Sequence, residues 1–494
     1  MSLLTKTKFL SGLQCPKLLW VSEHDKDRFP EPDISTQYNL EQGAVIGNLA
    51  KQLFKDGVDL ADLSFTENLQ RTSELIDDGV PIFEAGFKID FEGNELFCKV
   101  DILSPSENGH WDIIEVKSST RVKEPNIEDV SFQKFCLERC GLRIDKCFLM
   151  HINNEYVREG DIEIDRLLTE TDVTEDVESY LGNIESQSSE ALKILDLAAE
   201  PNIQIGPYCS KPYDCPLKST CWSFLPEGNV LELYRGGKKS WGLFEQGILK
   251  ISEIPNNFKL TTSQNIQRDC ATNQSVFIDQ NNIKEFVDKL KYPLYYLDFE
   301  TINPAIPKYD GIKPYQKVPF QYSLHIQENP ESEPVHSSFL AKGNENPIPE
   351  FLKSLEVSLG IEGDIIVYNA AFEKSVLKDS CLLYPEYADW YQNNIEPRIK
   401  DLLIPFRSFH FYDPRQKGSA SIKEVLPVLT DLSYDEMEIA NGSQACIEYE
   451  RVTFDPNVDP VEKEKVRQAL EKYCELDTYA EVLILKELKE KINK

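Results

Sequence analysis

Asp298 and Glu300 stand one residue apart in Leu294-Tyr-Tyr-Leu-Asp-Phe-Glu-Thr301, an alternation that predicts a strand with both carboxylates on one side. Two acids aimed at one point can hold a hard divalent cation through oxygen. Farther along, Glu373 lies in Ala370-Ala-Phe-Glu-Lys-Ser-Val-Leu377, which reads as the start of a helix after a buried strand at Gly363–Asn369. Tyr473 and Asp477, at i and i+4, share one face of a long helix predicted over Val461–Ile492. Four acids with a tyrosine one turn away are the side chains of a two-metal phosphodiester site. There, cations roughly 3.5 to 4 Å apart need bridging carboxylates, and the tyrosine can orient the attacking water. The plainer alternatives are capped or solvated carboxylates and a tyrosine ring packed on the sheet.

A second constellation lies upstream. Asp101 falls near the end of one predicted strand, and Glu115-Val-Lys117 puts two ionisable groups on the same face of the next. An Asp and a Glu at adjacent strand ends can bind a cation while the lysine polarises water or phosphate. Glu84 is a further candidate ligand, and a solvated face is the bland reading of the whole set. A third pattern is Cys209-x5-Cys215-x5-Cys221, in a loop that Pro207, Pro212 and Pro216 keep out of regular helix. Cys15, at the opposite end of the same stretch, offers a fourth thiol. Gaps of five favour an iron-sulfur cluster over zinc, with buried apolar cysteines as the remaining alternative.

The elements that must position these groups follow from periodicity. Helices are predicted at 35–56, stopped by Gly57, and at 66–78, capped by Thr66 and ended by Gly79. Alternation from Phe83, a turn at Glu92-Gly-Asn94, and strands Leu96–Leu103 and Trp111–Lys117 predict a meander. A helix over Asn126–Arg139 and a strand over Lys146–Ile152 follow. Thr169–Glu178 reads as an acidic, solvated helix. The second half adds a helix near Asn282–Leu290 and strands at Val318–Ile326 and Val335–Leu340. The fold class expected is α/β, in two domains, 1–225 and 291–494. Residues 226–290 read as a linker in which Arg235-Gly-Gly-Lys-Lys-Ser240 is faintly like a helix-hairpin-helix.

Composition bounds the function classes. A chain of 494 residues, 41% hydrophobic and 28% charged, can bury two or three cores. Without a membrane-length apolar run or a signal peptide, it is expected to be cytoplasmic, and its 12 cysteines reduced. The net charge of −31 argues against broad electrostatic binding of nucleic acid. Binding that does occur should depend on metal and on salt.

In the first half, Asp101 in Cys-Lys-Val-Asp-Ile-Leu, Glu115-Val-Lys117, and Gln133 in Ser-Phe-Gln-Lys-Phe resemble the RecB-like branch of the PD-(D/E)xK nucleases. Iron-sulfur members of that branch carry one early and three late cysteines around the nuclease core, the arrangement of Cys15, Cys209, Cys215 and Cys221. The resemblance implies a restriction-endonuclease-like core, with Lys117 and Gln133 as catalytic residues. One or two Mg2+ or Mn2+ ions would bind on Asp101, Glu115 and Glu84, and the cysteines would hold a 4Fe-4S cluster, with Zn2+ as the alternative. The early segment Gly43-Ala-Val-Ile-Gly-Asn48 lacks the histidine often found there.

The second half resembles the Tyr-bearing DEDD exonucleases of the RNase H-like superfamily. The resemblance rests on Asp298-Phe-Glu300, Tyr368-Asn-Ala-Ala-Phe-Glu373 and Tyr473-Cys-Glu-Leu-Asp477, with Glu373 where that family usually has Asp. It implies 3′-to-5′ hydrolysis of DNA or RNA, single strands included, by two Mg2+ or Mn2+ ions. Asp298, Glu300, Glu373 and Asp477 would hold them, and Tyr473 would act beside them. The order of the two halves is similar to a bacterial family of uncharacterised fused nucleases. A nucleic-acid-binding or regulatory protein with decayed sites is the alternative. The sequence names no protein partner and gives no sign of a membrane.

Overall fold

The computed structural model describes residues 2–493 and shows a mixed α/β protein that divides into two compact units. The first comprises Met1–Phe224 with Ala305–Tyr315, and the second Leu225–Pro304 with Gln316–Lys494. Residues 226–290 therefore fold as part of the second unit rather than standing as a linker. Val230, Leu233, Leu243, Ile251 and Ile254 form a buried cluster there, and apolar side chains at that density drive packing.

In the first unit, strands β1 (Leu3–Thr5), β2 (Val58–Asp59), β3 (Ile82–Phe91), β4 (Asn94–Pro105), β5 (Trp111–Lys117), β6 (Ile144–Ile152) and β7 (Leu168–Asp172) form one sheet. They run in the order β2-β3-β4-β5-β6-β7, and β1 lies parallel to β4. The β3–β4 hairpin turns at Glu92-Gly93, where both residues have positive φ (50° and 76°). Parallel β5 and β6 need a crossover, which helix α5 (Glu124–Arg139) provides. Val130 to Leu137 of α5 are buried without a break, so α5 is packed on all sides.

Four α-helices precede α5: α1 (Lys6–Gln14), α2 (Pro16–His24), α3 (Ile34–Lys51) and α4 (Phe65–Asp78). α3 ends six residues before Gly57, and its predicted apolar stripe is mostly open. Ile46 and Ala50 are buried, but Leu40 and Val45 are exposed. Ser64 caps α4, not Thr66, because a capping box with Glu67 satisfies two amides at once. Thr169–Asp172 is strand rather than acidic helix, since antiparallel pairing with β6 satisfies its backbone. The helix, α6 (Thr174–Leu195), starts only after it.

The second unit has a small pair, β8 (Phe277–Ile278) with β14 (Phe411–Tyr412), and a five-stranded sheet. In that sheet β9 (Leu294–Ile302), β10 (Val318–Gln327), β11 (Val335–Leu340), β12 (Asp364–Val367) and β13 (Ile399–Asp401) are ordered β11-β10-β9-β12-β13. β9 is central, antiparallel to β10 and parallel to β12. Three helices bear on the site: α7 (Ala370–Leu383), α8 (Gly442–Phe454) and α9 (Pro460–Asn493), 34 residues long. Among the described residues, no helix is long and apolar enough to cross a membrane.

Candidate functional sites

The carboxylates of the second unit converge. Oxygens of Asp298, Glu300 and Asp477 all lie within 4.8 Å of one another. β9 supplies the first two from alternate positions, and α9, laid across the sheet, supplies the third. Glu300 and Asp477 are buried, whereas Asp298 keeps some exposure. Burial raises Asp298 and Glu300 well above the usual carboxylate range, helped by Asp477 beside the first and by Asp298 and Asp477 beside the second. Burial also pushes Asp477 up to about 6, although Tyr434 donates a 2.6 Å hydrogen bond to it. No ion pair reaches any of the three among the described residues, and Lys423, acting on Glu300 and Asp477 from beyond ion-pair reach, offsets only part of their mutual repulsion.

Glu373, in the first turn of α7, is 1% exposed, and its Oε2 has no hydrogen-bond partner. Burial, then Asp298, raises it well above its ordinary value. Tyr473 lies one turn before Asp477 on α9. Burial and the three acids lift its phenol far above normal, so it stays a neutral donor. Lys423 Nζ lies 5.4 Å from the Tyr434 ring centroid and 5.5 Å from that of Tyr473, a cationic cover for both phenols. Gly442, which opens α8, leaves room for Glu300: a Cβ there would meet Glu300 Oε2 at 3.4 Å.

Sequence reasoning missed Glu481. It stands on α9 one turn after Asp477, is 1% exposed, and its oxygens find no well-formed hydrogen bond among the described residues, only weak help from the Leu297 backbone. Burial, Asp298, Glu373 and Asp477 all raise it. The signal was present, since Tyr473, Asp477 and Glu481 form one i, i+4, i+8 series. Tyr434 was missed because nothing near it in sequence announces a contact with residue 477.

The first unit gathers Asp101, Glu115, Lys117 and Gln133, but with a different charge balance. Lys117 Nζ lies 2.5 Å from Glu115 Oε1 and 2.9 Å from Asp129 Oδ2. Gln133 Nε2 donates to Glu115 Oε2 at 2.7 Å and to Asp129 Oδ1 at 2.9 Å. Lys6 Nζ, from α1, adds 3.0 Å to Glu115 Oε1 and 3.3 Å to Asp129 Oδ1. Asp101 Oδ2 accepts the Val116 amide at 2.8 Å. Burial works against charge on Glu115, yet Lys117 and Lys6 outweigh it and hold the carboxyl well below its usual range. Burial and Glu115 push Asp101 up to about 7.

Lys6 and Asp129 were not among the residues singled out from sequence. Asp129 is the i−4 neighbour of Gln133, which is the signal that could have found it. Glu84 falls where the β3–β4 pairing is interrupted, between the pairs Phe83–Ile102 and Ala85–Val100, with φ of 57°. Its carbonyl accepts from Asn68 at 2.9 Å; among the described residues its carboxylate has no hydrogen bond or ion pair to Asp101, Glu115 or Lys117.

Cys15, Cys209, Cys215 and Cys221 line one small cavity with Leu18, Ile203 and Leu217. Cys15 ends α1 and precedes Pro16 of α2, where the amides of Lys17 and Leu18 favour its thiolate against burial. Gly206 N–H points at Cys209 Sγ from 3.5 Å.

Comparisons place this chain near sequences without an assigned activity. A family model described as a domain of unknown function, DUF2779, matches residues 295–421, which include Asp298, Glu300 and Glu373. An uncharacterised protein of Ureaplasma parvum serovar 3, UU173, is 26% identical over 217 residues, covering 40% of this chain and 31% of that one. A Mycoplasma pneumoniae protein, the uncharacterised MG366 homologue, is 26% identical over 223 residues, 41% of this chain and 33% of its own length. The matches thus span about a third of these curated relatives. The solved structure of SSO0001 shares 15% identity, with a TM-score of 0.24, over 45% of this chain and 87% of that one. At that score the likeness carries no structural conclusion.

Proposed function

We propose that the chain is a metal-dependent nuclease that hydrolyses phosphodiester bonds of DNA or RNA, with its second unit acting as a 3′-to-5′ exonuclease. The observation that carries this reading is the convergence of Asp298, Glu300 and Asp477, with Lys423 near Glu300 and Asp477 but no ion pair to the three among the described residues. Buried carboxylates that repel one another are stable only if protonated or if a bound cation neutralises them. Two Mg2+ or Mn2+ ions would supply Lewis acidity and an activated water there. Asp298, Glu300 and Asp477 would hold them, with Glu373 and Glu481 completing the acidic wall. Tyr473, kept neutral, can donate to the attacking water or to a phosphate oxygen.

In the first unit, Asp101 and Glu115 would be the ligands, and Lys117 the polarising cation. The four cysteines, which line one small cavity, would hold a 4Fe-4S cluster, which their gaps of five residues favour over the zinc alternative. One observation favours a second reading for this unit, binding of nucleic acid without cleavage. Glu115, its central acid, is already engaged by two lysines and a glutamine.

The test is hydrolysis of end-labelled single- and double-stranded DNA and RNA, with and without Mn2+, by the full chain and by Asp298→Ala and Lys117→Ala. Asp298→Ala should abolish stepwise release from the 3′ end. Cleavage unchanged in both variants would defeat the assignment.

A further inference from the structure

We propose that Lys6 is a resident counter-ion of the first unit, holding against Glu115 a place that a divalent cation must take, so that cation entry requires this ammonium to withdraw. The proposal rests on the reading of Asp101 and Glu115 as cation ligands.

Three features fix Lys6 in the site. β1 runs parallel to β4, with Thr5 opposite Phe97, and Thr5 then caps α1 by accepting the Lys8 amide at 3.3 Å. Phe9, fully buried one turn later, stacks on Phe132 of α5 with centroids 4.6 Å apart. α1 therefore lies against the part of α5 that carries Asp129 and Gln133, and its first residue projects between Asp129 and Glu115.

Three donors converge on Glu115. Oε1 takes both ammonium groups and Oε2 takes Gln133, so Oε1 is fully spent on the protein's own donors and Oε2 keeps one lone-pair site. A cation bound through Oε1 must displace one of the two ammonium groups. Lys117 shares a strand with Glu115, and its position is set by that spacing. Lys6 arrives from a separate element and also touches Asp129, so it can retreat to Asp129 and remain paired. The ammonium thus offsets the charge of the acids enough for them to stay buried, at the expense of cation affinity.

The experiment is a Mn2+ titration, read by electron paramagnetic resonance, of the full chain carrying Asp298→Ala and Asp477→Ala to silence the second unit. Added to that background, Lys6→Met should bind Mn2+ about tenfold tighter, whereas Lys6→Arg, which keeps the charge, should not. Unchanged or weaker binding in Lys6→Met overturns the counter-ion role while leaving the ligand reading intact. No Mn2+ bound by any of these proteins defeats the ligand reading and this proposal together. In the wild-type chain, Mn2+ should speed acylation of the Lys6 amine by a water-soluble ester, read by mass spectrometry. Protection or no change there counts against it, and this arm needs no variant to fold.

Discussion

The two acidic centres differ in who neutralises them. In the first unit, Asp101, Glu115 and Asp129 meet Lys6 and Lys117, and Glu115 is held ionised by direct pairs. In the second, Asp298, Glu300 and Asp477 meet one another, with Glu373 and Glu481 behind them and, among the described residues, no ion pair, only Lys423 acting from farther off. One site carries its counter-ions in direct contact, and the other leaves most of its repulsion to protons or to something outside the fold. Removing an acid should therefore have opposite consequences in the two units.

The largest expected effect is on the first. Glu115→Ala leaves two half-buried ammonium groups sharing Asp129 and Asp101; breaking a fully buried pair costs about 3–5 kcal/mol, and the loss here should fall toward the lower end. Urea unfolding should show that loss, and a cost near zero would mean that the pairs do not bind one another in solution. Next in size is stabilisation of the second unit by metal. Mn2+ at about 100 times its dissociation constant should add about 2.7 kcal/mol per site, roughly 5–10 °C in midpoint for a unit of this size. Hydrogen exchange of α9 localises it, and Asp298→Ala with Asp477→Ala should abolish it. Persistence in that variant would shift the metal elsewhere.

The contrast was only half legible in the sequence. Alternation placed Asp298 and Glu300 on one face and set β5 at Trp111–Lys117, because period-two patterns report strands directly. The i, i+4 spacing of Tyr473 and Asp477 reported α9 in the same way. What could not be read were meetings made by tertiary packing. Lys6 reaches Glu115 across 109 positions and Tyr434 reaches Asp477 across 43, and neither has a local signal. β7 was hidden for a related reason. Thr169–Asp172 is acidic and half exposed, and only its pairing with β6 makes it a strand.

Glu481 gives the third test. Its oxygens are buried without a well-formed hydrogen bond among the described residues, and a group in that state costs about 1–3 kcal/mol. Glu481→Leu should raise the stability of the metal-free protein by that order and diminish the stabilisation by Mn2+. A variant less stable than wild type without metal would show that Glu481 is satisfied by a partner, and the second centre would then be closer in kind to the first.

The smallest effect, and the sharpest in sign, is the pH dependence. Asp477 is pushed up to about 6 by burial, against roughly 3.9 in an unfolded chain. Between about pH 4 and 6 the folded metal-free unit keeps a proton that the unfolded chain has released, so its stability falls as pH rises through that window. The expected change is on the order of 1 kcal/mol, because water at the partly open Asp298 side screens part of it. Bound Mn2+ must reverse the slope, since ligands held ionised by a cation lose their stabilisation as pH falls. Asp101, pushed up to about 7, adds a contribution of the metal-free sign from the first unit. Hydrogen exchange read on α9 separates the two. Stability of the metal-free α9 that climbs from pH 4 to 6 would mean that its acids are already neutralised by the protein itself, erasing the difference between the two centres.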